Sequence, residues 1–465
     1  MSTPSDSGTF DSEPSDSGTA GTSAGSEQPS GLGLPERVTG LRALLAHRRF
    51  TPFHRILILA VLANTAVAIL LLLSVPDSAG AMAAAITAAT INLAVATLAR
   101  QQYAVNALFA AVLSVPHNWP LRRRATAAQV HQVPGGVHVG CAISATAWFG
   151  AYAALAVTGS LPTAVGARDT GLRIVAATIL LDLLAMSLWA RPSARERHHD
   201  AFEATHRYGG WLALALFIAL TIMAAAEGLS PVLGAVFSSP NAWIVAALVV
   251  MAAIPWLQLR RIKVHIDCPS DHVAVVTMAA GRVLSGSAAR LARHPFGQWH
   301  SFATMTVPGQ DGCRFAISRT GGWTARFIEE PPTHIWTRGV PTAGMVSVSR
   351  AFHKVVWLAT GSGIAPCLPQ LLEGATPCTL VWVTRDPVRT YGRSLAGEIR
   401  AAIPDATFWN TDLRGKPDLA VLAYGAYRQT GAEAVMVVSN KSTTLAVVAE
   451  LRSRGVPAFG PIWDS

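Results

Sequence analysis

Six of the 14 histidines fall between residues 117 and 206: His117, His131, His138, His198, His199 and His206. Imidazole ligates haem iron and most transition metals, and it changes charge near neutral pH. His131 and His138 are seven residues apart, as are His199 and His206. On a continuous helix that is two turns, about 10 Å along one face. Two such pairs facing each other would hold one haem b or another metal, or line a site for an organic substrate. His138 and His206 each open an apolar stretch, where ionisable groups are costly and usually functional. They form the candidate catalytic pair, and His131 and His199 complete the candidate metal-ligating set. Pro134 interrupts the register after His131. His117 and His198 read as solvated residues near an interface. Gly135-Gly136 and Gly209-Gly210 lie beside the pair, and small residues let helices or a flat ligand approach closely.

A second chemistry lies in residues 355–365. Val355 to Ala359 reads as a buried strand, and Thr360-Gly361-Ser362-Gly363 as a turn into a helix, with Pro366 in that helix's first turn. Glycines let backbone amides approach a pyrophosphate, and the helix start adds a favourable dipole. This is the pattern of a dinucleotide-binding turn.

These residues must be positioned by two unlike halves. The chain has 465 residues, 51% hydrophobic and 14% charged, with a positive mean hydropathy, which is membrane-protein composition. Six apolar stretches near 56–75, 80–99, 138–159, 172–190, 209–226 and 242–259 are long enough to span a bilayer. One set of connections carries Arg48, Arg49 and Arg55, then Arg122, Arg123 and Arg124, then Arg191, Arg195, Arg197 and Arg207, then Arg260, Arg261 and Lys263. The opposite loops hold few charges. The positive-inside rule therefore predicts a multi-pass protein of the cell membrane with both termini in the cytoplasm. The net charge of +10 reads as orientation, with no basic, aromatic-interleaved face for nucleic acid. Residues 1–35, rich in Ser, Gly and Thr, predict a disordered tail and contain no signal-peptide pattern. Five widely spaced cysteines without a C-x-x-C predict reduced thiols.

The predicted division is a tail over 1–35, a six-span domain over 50–260, a small β-barrel over 262–350 and an α/β domain over 351–465. Strands are expected at 354–359, 378–384 and 434–438, with helices near 366–373, 393–402, 417–428 and 443–454. In the barrel, Trp299-His300-Ser301-Phe302-Ala303-Thr304 precedes Ile317-Ser318-Arg319-Thr320-Gly321-Gly322-Trp323-Thr324. With the glycine turn, these segments in this order resemble the ferredoxin–NADP reductase-like flavoproteins. Behind six spans they resemble the ferric reductase and NADPH oxidase superfamily. The resemblance implies a multi-domain membrane protein: a six-helix transmembrane bundle, a FAD-binding β-barrel and an α/β nucleotide-binding domain. It implies that His300, Ser301 and Phe302 with Gly322, Trp323 and Thr324 meet FAD; His294-Pro295-Phe296-Gly297 is a second candidate for the first segment. It implies that Thr360, Gly361, Ser362 and Gly363 meet NADPH or NADH, with Arg385 a candidate for an adenosine 2′-phosphate. Trp463, near the end, is a candidate to stack on the flavin. The superfamily's Cys-Gly-Pro segment is replaced by Val438-Ser439-Asn440-Lys441.

A narrower resemblance runs from about residue 50 to the end, through His138-Val139-Gly140-Cys141, Thr205-His206-Arg207-Tyr208-Gly209-Gly210-Trp211 and Gly460-Pro461-Ile462-Trp463-Asp464-Ser465. It is to fungal and bacterial membrane flavoproteins, some linked to adenylating (AMP-binding) enzymes. The third and fifth spans carry no further histidine beyond His138 and His206. A haem pair across the bilayer would need one about four turns, or ~20 Å, further on. The expectation is therefore an NAD(P)H-dependent flavin oxidoreductase in which hydride passes to FAD and electrons reach the histidine site at the cytoplasmic face. Its substrate would be a small molecule or a carrier-linked group. Transmembrane electron transfer of the ferric reductase type and a redox-sensing membrane protein are the alternatives.

Overall fold

The computed structural model describes residues 33–461 except 48, 76, 159–166, 226–231, 280–284 and 307–311. Trp463 and most of the Ser-rich tail lie outside the described residues. Among the described residues, six helices are long and apolar enough to cross a membrane: Pro52–Ser74, Ser78–Leu98, Leu121–Thr158, Asp169–Trp189, His199–Ala224 and Pro240–Leu257. Glycine sets how closely the first and third pack. A Cβ on Gly136 would lie 2.7 Å from the Phe53 carbonyl oxygen, and one on Gly140 would lie 2.7 Å from the Ala60 methyl. The small residues beside His138 therefore serve helix packing.

The barrel consists of β1 (Arg260–Asp267), β2 (Val273–Met278), β3 (Ala288–Ala292), β4 (His300–Ala303), β5 (Cys313–Ser318) and β6 (His334–Thr337). The strands are antiparallel in the order β4-β3-β6-β1-β2-β5. Past the end of β4, Met305 exchanges backbone hydrogen bonds of 2.8 and 2.9 Å with Arg314 of β5 and closes the barrel. Leu291, Phe315, Ile317, Phe327 and Ile335 fill it.

The last module is a parallel sheet of β7 (Val355–Thr360), β8 (Cys378–Thr384), β9 (Thr407–Asn410), β10 (Ala434–Val438) and β11 (Ala458–Phe459), in the order β11-β10-β7-β8-β9. β7, β8 and β10 fall where the apolar runs predict them. The chain leaves β7 toward one edge, then returns across it to build the other. The switch point lies between the carboxyl ends of β7 and β10, where open α/β sheets bind ligands.

The halves share a core. Val105 and Phe109, on the helix Gln102–Leu113 between the second and third long apolar helices, join Ala128, Val130, Phe352, Trp357 and Leu380 in one buried cluster. Asn106 donates to the Pro341 carbonyl (3.0 Å) and accepts from Ala343 N–H (2.7 Å), while Gln102 accepts from Val340 N–H (3.2 Å).

The prolines and arginines of 116–124 argue against a buried helix there, and Arg122 and Arg123 are exposed, but Arg124 is not. Leu121–Ala127 is helical and Arg124 is buried in it. Its guanidinium faces the soluble module, donating to the carbonyls of Trp119 (2.9 Å) and Ala351 (3.1 Å) and to both carboxylate oxygens of Glu433 (2.7 and 2.6 Å). Glu433 also accepts from the His353 amide (2.8 Å).

These bonds, led by that from Arg124, hold the Glu433 carboxyl down at about 2, from an ordinary 4.5. A depressed carboxylate pKa contributes stability that is present above the unfolded value and lost as pH falls through the folded one. Glu433→Gln should therefore cost about 3 kcal/mol at neutral pH, because Arg124 keeps its burial without its counter-charge. The penalty should shrink as pH falls from 5 toward 2. Melting temperatures of wild type and variant in detergent across that range check this; parallel curves reject the clamp.

Candidate functional site

The carboxyl ends of β7, β8 and β10 open into a crevice of about 470 Å³ lined by residues that include Gly361, Ser362, Arg385, Tyr391, Lys416 and Ser439. The two turn glycines do different work. Gly361 has φ +47°, which disfavours a side chain, yet a Cβ there would meet only the Tyr391 hydroxyl, at 3.7 Å. A Cβ on Gly363 would lie 2.2 Å from the Val438 carbonyl oxygen, so β10 itself excludes a side chain there. The Trp382 indole donates to the Gly361 carbonyl (3.1 Å). Thr360 and Ser439 join their hydroxyls across the switch point, and the His272 ring meets the Ser362 hydroxyl at 3.2 Å. His272 belongs to the barrel, so the turn is tied to both modules; burial holds its pKa below the usual imidazole range.

Motif reading found Thr360 to Gly363 and Arg385. It missed His272, Tyr391 and Lys416, which arrive from distant segments, and it passed over Ser439 as a departure from pattern. Asn440, next to it, accepts from Thr443 N–H and caps the helix Lys441–Ser453.

In the barrel, His300 and Phe302 turn inward onto Trp323, with ring centroids 4.3 and 5.8 Å away. His300 Nε2 is buried with no hydrogen-bond partner among the described residues. Ser301 is exposed on the opposite face. The Thr324 hydroxyl accepts from Thr320 and Gly321 N–H at 2.9 and 3.1 Å and donates to the Gly321 carbonyl. It is committed to capping, which leaves the first-turn amides of Gly322 and Trp323 to face a ligand. The alternative segment, His294 to Gly297, is a turn whose Phe296 and Gly297 carbonyls accept from Arg207 of the helix His199–Ala225. This turn and the helix start at Gly322 border a cleft of about 680 Å³ that Arg293, His294, Gly322, Trp323 and Arg326 help to line.

His138 and His206 come together, with ring centroids 6.1 Å apart. His138 Nδ1 lies 3.0 Å from the Ala96 carbonyl oxygen, and His206 Nδ1 is buried without a partner among the described residues. The four-histidine ligand set is not assembled. His131 bonds the Ala128 carbonyl (2.9 Å) and packs on Phe459 of β11, while His199 packs on Phe202. The 3₁₀ turn Ala128–Gln132 breaks the seven-residue register that would align His131 with His138. No group of three or more His, Cys, Asp or Glu side chains among the described residues could hold a metal ion.

A closed barrel followed by a parallel sheet, with a glycine turn at the switch point touching the barrel, has the build of an NAD(P)H-dependent flavin oxidoreductase. The protein-family model for the C-terminal domain of adenylate-forming reductase 03009 matches residues 345–465. Adenylate-forming reductases 06235 and 03009 of Coprinopsis cinerea are each 35% identical to this chain, over 441 and 439 residues. Each match covers 93% of this chain and 42% of the relative, so the chain spans less than half the length of the curated relatives it matches. Among solved structures, a Neisseria gonorrhoeae ferredoxin–NADP reductase with bound FAD and NADP matches at TM-score 0.35 and 15% identity, over 44% of this chain and 98% of its own. A Malassezia yamatoensis flavohemoglobin matches at TM-score 0.39 and 13% identity, over 83% of this chain and 98% of its own.

The glycine geometry makes an ordered prediction. Gly363→Ala should lower the melting temperature of the nucleotide module far more than Gly361→Ala, whose cost is about 1 kcal/mol of left-handed strain. Gly361→Ala should stay folded and bind NADPH more weakly. Equal melting temperatures for the two would reject the close approach of Gly363 to β10.

Proposed function

We propose that this chain is a membrane-bound NAD(P)H-dependent flavoprotein reductase that works at the cytoplasmic face and delivers electrons to a site at His138 and His206. One observation carries the reading: the contact between Ser362 and His272 joins the nucleotide crevice to the barrel that bears the flavin segments, and Arg207, next to His206, donates to that barrel at the Phe296 and Gly297 carbonyls.

Each crevice fits its cofactor by residue type. Thr360 to Gly363 offer a dinucleotide backbone amides and hydroxyls, and Arg385 and Lys416 offer cations for a 2′-phosphate. Gly322 and Trp323 offer first-turn amides to FAD, and His300 offers an unpartnered ring nitrogen. When bound, the two cofactors supply hydride transfer and onward electron release. The chain's own residues orient and enclose. Trp382 and Tyr391 back the glycine turn, and Thr360 and Ser439 close its floor. The Ala96 carbonyl fixes the His138 ring, directing Nε2 away from that bond.

Membrane residence is supported by the six apolar helices and by leucines facing outward on the first, where Leu72 and Leu73 are 83% and 81% exposed. It is supported too by the bias of arginines to one set of connections. A substrate at the bilayer boundary suits an amphipathic small molecule or a carrier-linked group.

Anaerobic addition of NADPH to the detergent-purified protein should bleach a flavin spectrum, and a protein without flavin would reject the reading. His138→Ala and His206→Ala should leave that bleaching intact and abolish transfer to an added acceptor; loss of bleaching in folded variants would reject the division of labour. Lys416→Ala combined with Arg385→Ala should raise KM for NADPH at least ten-fold with NADH little changed. Equal losses for both would remove the 2′-phosphate assignment.

A further inference from the structure

The turn at 294–297, between β3 and β4, carries an outward aromatic ring: Phe296 is 62% exposed. From Pro295 to Gly297 every backbone polar group is bonded within the protein. The Phe296 and Gly297 carbonyls accept from the Arg207 guanidinium (3.2 and 2.7 Å), and the Pro295 carbonyl accepts from the Trp299 indole (3.0 Å). Phe296 N–H donates to His294 Nδ1 (3.4 Å) and Gly297 N–H to the His294 carbonyl (3.0 Å), while proline has no N–H. A turn in water does not need this, because water fills such groups. A turn that enters a bilayer must satisfy them internally.

The ring also stands where the bundle ends. Phe296 stacks on Trp256, with centroids 6.3 Å apart and planes at 24°. Trp256 lies in the last turn of the helix Pro240–Leu257, and its ring meets that of Trp211 on the helix His199–Ala225 at 5.4 Å. Trp211 meets Tyr208 at 5.6 Å. Tyr208, Trp211, Leu212 and Leu257 are all exposed, so barrel and bundle share one apolar, aromatic surface. Tryptophan and tyrosine favour the boundary between lipid headgroups and acyl chains, and a continuous apolar patch of this kind marks an interaction site. The chain leaves this end of the bundle through β1. Its Arg260, Arg261 and Lys263 are exposed and without an ion pair among the described residues, which suits them to anionic headgroups.

We propose that the turn at 294–297 is a bilayer-inserting tip of the barrel, with Phe296 seated in the headgroup–acyl boundary of the cytoplasmic leaflet and Arg260, Arg261 and Lys263 on its anionic lipids. The inference rests on the membrane reading and adds that the barrel itself contacts lipid. His294 and Gly297 line the cleft proposed above for FAD, so the lipid seat steadies one wall of that cleft. Arg207, which grips the turn, adjoins His206, so the same seat holds the barrel against the helix that carries the electron-receiving pair.

The test uses the full-length protein in nanodiscs of phosphatidylcholine and phosphatidylglycerol, with Cys268→Ser and Cys378→Ser to remove the cysteines that are not buried. A small polar fluorophore is attached through Phe296→Cys, through Leu62→Cys on the outward face of the first long helix, or through Leu413→Cys on the nucleotide module. A nitroxide high on the acyl chain should quench the label at Phe296 about two-fold, the depth expected of an interfacial side chain. A nitroxide at the chain end should quench the label at Leu62, and neither should reach Leu413. Quenching at Phe296 should weaken when phosphatidylglycerol is omitted, and equal quenching overturns the part given to Arg260, Arg261 and Lys263. A label at Phe296 that answers to aqueous iodide and not to lipid, while that at Leu62 answers to lipid, overturns the inserted tip and leaves the membrane reading intact. A label at Phe296 shielded from both quenchers puts a protein surface there, such as a second copy of the chain, and overturns the tip as well. Absence of lipid quenching at Leu62 overturns both.

Discussion

The buried guanidinium of Arg124 is the constraint on which the rest of the arrangement depends. A charge in that position is tolerable only if it is paired and its donors are filled. The Trp119 and Ala351 carbonyls and the Glu433 carboxylate fill them, and the partners come from three separate parts of the chain. Glu433 directly precedes β10, and Arg124 opens the helical run that continues to Thr158. The nucleotide sheet is therefore fixed to the base of the helix that carries His138, 14 residues further on, or about 20 Å. The shared cluster around Phe109, Ala128 and Phe352 makes this joint a continuous core rather than a contact between finished domains.

The remaining arginines divide by the same criterion. Arg124, Arg207 and Arg314 each have a carboxylate, from Glu433, Glu203 and Glu398, and each ties elements together. Arg338 has no such partner among the described residues, and burial together with the charges of Arg290 and Arg207 pushes it down to about 10.

Much of this was legible in the sequence because it is local. Apolar runs of spanning length reported the six helices, and β-rich runs bounded by turn residues reported β7, β8 and β10 within a residue or two. β9 and β11 escaped notice because Thr407–Asn410 and Ala458–Phe459 are too short to carry a period. The pairing of His138 with His206 was legible because each opens an apolar helix. The misassignment of His131 has a physical origin: seven-residue spacing aligns side chains only on an unbroken α-helix, and a 3₁₀ turn intervenes before Val133. Arg124 read as one of three like charges in a loop. What separates it from Arg122 and Arg123 is Glu433, 309 residues away, and no local pattern encodes such a partner.

The glycine turn shows how a motif overstates ligand chemistry. Gly363 would be required with no nucleotide present, because the Val438 carbonyl oxygen fills the space its side chain would need. Gly361 answers to backbone conformation and faces open room, so ligand selection falls more directly on it. Between them Ser439 does not stand free, because its hydroxyl bonds that of Thr360. A thiol there would be a weaker and longer-reaching partner. With serine, the strand ends of β7 and β10 are latched at the floor of the crevice. This position is thus better fitted to holding the crevice's shape than to direct chemistry, and the task of positioning the nicotinamide passes to the residues around it.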